Sequence, residues 1–301
     1  MTRPSPRAAA RVSARTTVRC AALLTAVACT TALLVPETPQ PSRTAAGAAA
    51  APAADGAEAA VPPVGFVALR RVDPTIRLDI RYATARNFLG RRVPGYVDAE
   101  CLLTREAARA LSRAQRWLRH RGLSLKVYDC YRPQRAVDAF VAWAADPADE
   151  VTKEEYYPRV DKSRLIPEGY LAERSGHSRG STVDVSLLPD GPGAGPAVGA
   201  ERPGARPPEG AAPCFAPVGS RSPDDSLDMG TGYDCFDELA HTEHPAVAGA
   251  PRAARLLLRR AMEDAGFVNL PQEWWHYSLR DEPHPTTYFD FPVAPPAAGN
   301  G

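Results

Sequence analysis

Apolar and polar side chains alternate in two stretches of the chain. Ile76, Leu78 and Ile80 interleave with Arg77, Asp79 and Arg81, and Val183, Val185 and Leu187 interleave with Asp184 and Ser186. A period of two marks a strand with one buried face, so both stretches read as strands. Between them the period lengthens. Ala107, Ala110, Leu111, Ala114, Trp117 and Leu118 recur at helical spacing behind Thr104, a suitable N-cap, and Gly122 follows. This predicts a helix from Thr104 to about residue 121, then a strand over 125–129. Pro133 suits the first position of a second helix carrying Ala136, Phe140, Val141 and Trp143, because the first turn needs no N–H there. A helix over about 251–266 and an aromatic-rich strand over 273–279 complete the regular elements. Strands and helices that do not alternate regularly predict an α+β fold: a single domain with an antiparallel central sheet and packed helices.

Two regions break the pattern. Residues 189–223 hold 9 Pro and 7 Gly among 35 positions, which predicts a long surface loop. Residues 1–19 carry five Arg and no acid, ahead of an apolar run from Cys20 to Val35 that ends at Pro36 and Glu37. That order is the order of a secretory signal. The apolar run is shorter than the roughly 20 residues a membrane span needs and is broken by three Thr, so no stable membrane insertion is expected after processing. The expected organisation is a signal peptide over 1–37, an Ala/Pro-rich tether over 38–60 and a folded domain over 61–301. Localisation is then secreted or extracytoplasmic, with surface tethering as a lipoprotein if Cys29, which follows Ala26, Val27 and Ala28, is the processed cysteine.

Charge removes two classes of partner. The chain has 36 basic and 35 acidic residues, and the part beyond residue 60 has 30 and 32, so neither nucleic acid nor a membrane surface is attracted by bulk charge. Cys101, Cys130, Cys214 and Cys235 remain after the signal, an even number in an oxidising compartment, and imply two disulfides. Four cysteines allow three pairings, of which Cys101 with Cys130 and Cys214 with Cys235 is the simplest. None of them has the close C-x-x-C spacing of a structural zinc site.

The chemistry is concentrated in three short motifs. Ser175-Gly176-His177-Ser178-Arg179-Gly180 precedes the strand that holds Asp184, and Glu273-Trp274-Trp275-His276 lies downstream. His177, Asp184 and His276 form a three-ligand zinc set with a fourth position open, as catalytic sites require. A carboxylate in a Val-rich strand is costly to bury unless something positive meets it, which singles out Asp184. Glu273 lies three residues before His276 and would share its face on a helix but not on a strand, so it belongs at the strand's entry or on a bulge, as general base toward water. Arg132, in Tyr128-Asp129-Cys130-Tyr131-Arg132-Pro133, sits where a strand hands over to a helix and suits a substrate carboxylate or an oxyanion.

Together these motifs resemble the VanX-type D-alanyl-D-alanine dipeptidases, zinc peptidases whose relatives include D-Ala-D-Ala carboxypeptidases, lysostaphin-type endopeptidases and the hedgehog signalling domain. The resemblance extends over about residues 82–293. It adds Tyr82-Ala83-Thr84, Met229-Gly230 with Tyr233-Asp234, and the closing Tyr288-Phe289-Asp290-Phe291-Pro292-Val293. It implies one zinc ion per chain on His177, Asp184 and His276, Glu273 as base and Arg132 steadying the transition state. Tyr82, Ser175 and Asp234 would line the substrate, with Asp234 suited to a free amino group. The implied reaction is zinc-dependent hydrolysis of D-Ala-D-Ala, or a related D,D-dipeptide, in cell-wall peptide turnover. Alternatives are a D,D-carboxypeptidase or endopeptidase acting on peptidoglycan stems, or a binding module that keeps zinc without catalysis. Retention of Glu273 and Arg132 argues against the last, since neither is needed merely to hold zinc.

Overall fold

The computed structural model describes residues 62–191 and 212–294. The leader and tether expected over 1–60, and much of the Pro/Gly-rich stretch, lie outside the described residues. β1 (Phe66–Ala68) runs into the single-turn helix α1 (Leu69–Val72), followed by β2 (Arg77–Leu78). β3 (Leu102–Thr104), α2 (Arg105–Arg119), β4 (Leu123–Asp129) and α3 (Gln134–Ala145) come next. Two short turns of helix, α4 (Lys153–Tyr156) and α5 (Lys162–Leu165), lead to β5 (Thr182–Pro189). The order closes with α6 (Gly249–Asp264), β6 (Phe267–Asn269) and β7 (His276–Leu279).

The main sheet has the order β2-β4-β5-β7-β6, and β1 pairs with β3 apart from it. Its pairs are antiparallel except β2 with β4, which is parallel. The sheet is therefore mixed, not antiparallel throughout. The reason is that β2 returns to β4 through a crossover containing α2, the connection parallel neighbours require. Helix α2 begins where the sequence places it: the Thr104 hydroxyl accepts the Ala107 N–H at 3.4 Å. Its stripe of Ala107, Ala110, Leu111, Ala114 and Leu118 is fully buried and packs on β4 and α6. A fully buried Leu such as Leu111 or Leu118 contributes roughly 1.5–3 kcal/mol. Pro133 falls one position earlier than expected, as N-cap of α3.

The charged sides of the alternating strands are also buried. Asp184 and Ser186 on β5 are as inaccessible as Val183 and Val185. Residues 221–234 cross this face, and an ionic layer beneath them replaces solvent. Lys126, 1% exposed, meets Asp79 at 2.8 Å, Asp224 at 3.1 Å and Asp225 at 2.7 Å. Arg81 joins Asp79 at 3.0 Å and Asp224 at 2.5 Å, and Arg77 reaches Asp225 at 2.9 Å. Burial alone would raise the Asp79 carboxyl, but Arg81 and Lys126 hold it below its ordinary range. The strand predicted over 76–81 is cut to two residues, because the chain turns at Arg81–Ala83 to carry Tyr82 inward.

Cys101 bonds Cys130 and Cys214 bonds Cys235, with Cα atoms 5.3 and 5.5 Å apart. Peptide mapping of the unreduced domain should return these two cross-linked pairs and no free thiol, and any other pairing contradicts the structure. Replacing Cys101 and Cys130 together by Ala, across a separation of 29 residues, should lower the unfolding free energy by about 3–4 kcal/mol in the chain-entropy model. Equilibrium denaturation measures it.

Candidate active site

Three chemical side chains share one row across the sheet. Asp129 on β4 is opposite Asp184 on β5, and Asp184 is opposite His276, the first residue of β7. The ladder between β4 and β5 shifts register between Val127 and Asp129, and this bulge brings Asp129 to the face that carries Asp184. His177 arrives from a tight turn, Gly176–Arg179, just before β5. The Ser175 hydroxyl accepts the His177 N–H at 3.3 Å and starts the turn, and Gly180 ends it at φ +81°. A Cβ at Gly180 would stand 2.3 Å from the Phe66 ring, so only glycine lets the chain pass here.

The donor atoms of His177, Asp184 and His276 form a near-equilateral triangle. His177 Nε2 and His276 Nδ1 each lie 3.2 Å from Asp184 Oδ1, and 3.3 Å from one another. Bonds of ~2.0–2.1 Å to nitrogen and carboxylate oxygen at tetrahedral angles put donors about 3.3–3.4 Å apart, so the set fits a small divalent cation. Proton placement supports the fit. His177 Nδ1–H donates to the Cys130 carbonyl at 2.7 Å, which leaves the Nε2 lone pair facing the triangle. Burial also lowers the His177 pKa and favours the neutral ring. Asp184 Oδ1 is buried with no hydrogen-bond partner among the described residues, while Oδ2 accepts the Tyr233 hydroxyl at 2.9 Å. Burial alone would raise the Asp184 carboxyl, but positive charge at the two facing imidazole nitrogens holds it below the carboxylate range, and an ion in that place would supply the same charge with both rings neutral. No other His, Cys, Asp and Glu group among the described residues converges this way.

The remaining expected residues surround this corner. Glu273 lies in the turn before β7, as the spacing to His276 required, and its Oε2 is 3.4 Å from His276 Nδ1. Asn269 anchors that turn by donating to the carbonyls of Glu273 and His276 at 3.0 and 3.1 Å. Burial pushes the Glu273 carboxyl up to about 7. Arg132 is held by Asp129, whose Oδ2 accepts its Nε–H at 2.9 Å, and its Nη2 lies 3.5 Å from Asp184 Oδ2. The Tyr82 hydroxyl donates to Asp234 at 3.0 Å, and the Arg132 guanidinium lies over the Tyr82 ring at 4.9 Å. Asp234 has φ +57°, the one non-glycine in the left-handed region among the described residues, and burial pushes its carboxyl well above the usual range. Four buried carboxyls, Asp129, Asp184, Asp234 and Glu273, thus face one guanidinium. Such a pocket is built to receive positive charge.

Two participants were not singled out by their chemistry. Asp129 stands in the Arg132 motif, where a carboxylate ending a buried strand was a readable signal. It also accepts the Tyr96 hydroxyl at 2.6 Å. Tyr233 orients Asp184 from 49 residues away, and its ring stacks on Tyr128 at 4.4 Å. Spacing carries no trace of that contact, because it is made by the covering segment.

Comparison with known proteins finds D-alanyl-D-alanine dipeptidases. A family model described as D-ala-D-ala dipeptidase matches residues 63–201 and 221–294. A D-alanyl-D-alanine dipeptidase of Streptomyces coelicolor is 40% identical over 219 residues, 73% of this chain and 93% of the relative. One from Enterococcus faecium is 37% identical over 230 residues, 76% and 98% of the two chains, and one from Escherichia coli is 30% identical over 214 residues, 71% and 84%.

Purified protein should carry one divalent metal ion per chain by elemental analysis, and His276→Ala or Asp184→Ala should lose most of it. Tyr233→Phe removes the hydroxyl that orients Asp184 and that also meets the Tyr82 hydroxyl at 3.3 Å, and should weaken metal affinity by roughly 10–100-fold in a chelator competition. Full occupancy in His276→Ala would remove that residue from the ligand set.

Proposed function

The chain belongs to the D-Ala-D-Ala dipeptidase family, and we propose that it is a zinc dipeptidase cleaving free D-Ala-D-Ala, or a related D,D-dipeptide, outside the cytoplasm. The observation that carries this reading is the buried Asp234 carboxylate beside the His177, Asp184 and His276 corner, which offers a partner to a substrate ammonium one residue before the scissile bond. His177, Asp184 and His276 hold the metal. When bound, zinc acidifies water and polarises the scissile carbonyl as a Lewis acid.

The chain's own groups account for the remaining steps. Asp234 pairs with the ammonium, and the Tyr82 hydroxyl keeps that carboxylate aimed. Glu273, with a carboxyl tuned by burial, takes a proton from the attacking water as its oxygen adds to the carbonyl carbon. The Arg132 guanidinium, fixed by Asp129, donates to the oxyanion that develops. As the C–N bond breaks, Glu273 returns the proton to the leaving amine, and two D-Ala molecules depart. Ser175 holds the His177 turn at the edge of the substrate space.

Location outside the cytoplasm is supported by the basic and apolar N-terminal segment and by two disulfides, which persist in oxidising compartments. A dipeptidase there meets D-Ala-D-Ala released from the wall.

Glu273→Gln should retain metal yet lose roughly 10²- to 10⁴-fold in kcat, and Arg132→Ala on the order of 10²-fold. Wild-type turnover by Glu273→Gln would require another base. Free D-Ala-D-Ala should be cleaved at least about 100-fold better in kcat/KM than its N-acetyl form, because the acetylated amine leaves Asp234 without a charged partner. Asp234→Asn should shrink that ratio. Equal cleavage of both substrates would turn the assignment to a D,D-carboxypeptidase.

A further inference from the structure

Each disulfide lies in the segment that carries one half of the proposed chemistry. Cys130 separates Asp129 from Tyr131 and Arg132, beyond the end of β4, where the sheet no longer holds the chain. Its carbonyl accepts the His177 Nδ1–H at 2.7 Å, and the Arg132 N–H donates to the His177 carbonyl at 3.3 Å. The opposite side of this strap is tied to β3, by Tyr131 N–H to the Leu102 carbonyl at 3.0 Å and by the Cys130 bond to Cys101, the residue before Leu102. One covalent link therefore fixes both the position of Arg132 and the acceptor that sets the His177 ring.

The second bridge is next to Asp234. Cys235 follows it directly, and the Cys214 carbonyl accepts the Gly232 N–H at 2.7 Å. The pair thus brackets the Gly232–Tyr233–Asp234 turn. A non-glycine residue at φ +57° is held against its own preference, so something outside it must fix the turn. Cys214 N–H to the Glu155 carbonyl at 2.7 Å and Phe236 N–H to the Tyr156 carbonyl at 2.9 Å anchor both arms to α4. The family match is interrupted over 202–220, a stretch that includes Cys214.

We infer that the two disulfides are positioning elements with separate duties. Cys101–Cys130 holds Arg132 and His177 for turnover and metal retention, and Cys214–Cys235 holds Asp234 for recognition of the substrate amine. The inference rests on the roles proposed above for those residues. Each bridge joins backbone outside the strands and helices, where only a few hydrogen bonds to β3 or α4 hold the chain.

The test uses two double variants, Cys101→Ala/Cys130→Ala and Cys214→Ala/Cys235→Ala, assayed well below their own Tm with metal supplied. Leu118→Ala, a buried residue in the last turn of α2, ~20 Å along the helix from its β3 end, serves as a control for lost stability alone. The first variant should weaken metal affinity by roughly 10–100-fold, as for a disturbed partner of a ligand, and lower kcat at least about 10-fold with KM little changed. The second should raise KM at least about 10-fold and reduce the preference for the free over the N-acetyl dipeptide, with metal affinity falling no further than in Tyr233→Phe, because the same turn carries the hydroxyl that orients Asp184. Leu118→Ala should lower Tm and leave all of these unchanged. If a variant does not fold, wild-type holoenzyme can be reduced by a phosphine, alkylated, desalted and resupplied with metal, with each bridge's state read by mass spectrometry. Loss of Tm alone, or the same kinetic profile from both variants, overturns the inference. A wild-type protein that does not cleave the free dipeptide overturns the functional reading instead, while the metal-affinity arm still decides the role of Cys101–Cys130.

Discussion

Asp184 is a carboxylate in the central strand of a sheet covered on both faces, with one oxygen that no protein donor meets among the described residues. Leaving such an atom unpaired costs about 1–3 kcal/mol, and more when it is charged. The neighbouring imidazole of His177 offers no remedy. Its one proton in the neutral form goes to the Cys130 carbonyl, so Nε2 is a second acceptor turned toward Asp184. A cation at the centre of the triangle removes the conflict, and much of the surrounding structure serves to keep these acceptors converged.

The sheet supplies most of that rigidity. Register places Asp129, Asp184 and His276 in one row, and a bulge at the end of β4 completes it. What the sheet does not supply comes from irregular chain: the Ser175-capped turn with His177, the Asp129–Arg132 strap, the Leu270–Glu273 turn and the Gly232–Asp234 turn. Their supports are respectively a side-chain cap, the Cys101–Cys130 disulfide with an ion pair, the Asn269 amide, and the Cys214–Cys235 disulfide. The ionic layer of Lys126, Arg81 and Arg77 holds the covering segment near Asp224 and Asp225, upstream of Tyr233. Charged side chains that alternate in the sequence like a solvent-facing strand are thereby buried and paired beneath the covering segment.

Elements whose instructions are local were legible in the sequence. The cap at Thr104, the apolar stripe of α2 and the entry position of Glu273 all follow from neighbours within a few residues. The alternation of β5 was legible as a strand but not as one buried twice, since the segment covering Asp184 and Ser186 lies about 40 residues downstream beyond a Pro/Gly-rich stretch. For the same reason Tyr233 carried no signal of its contact with Asp184. The parallel pairing of β2 was hidden because two residues of strand cannot encode a direction. The metal triad was readable as chemistry from residue types and a Gly turn, whereas the donor triangle required the register of β5 with β7 and the path of the turn that carries His177.

The central claim is that two imidazoles and one carboxylate share a zinc ion. X-ray absorption at the zinc edge of the loaded protein tests it most directly. The account predicts a first shell of nitrogen and oxygen at ~2.0–2.1 Å, with outer-shell scattering from two imidazole rings and no sulfur. A sulfur shell near ~2.3 Å, or scattering from one imidazole or none, would contradict it.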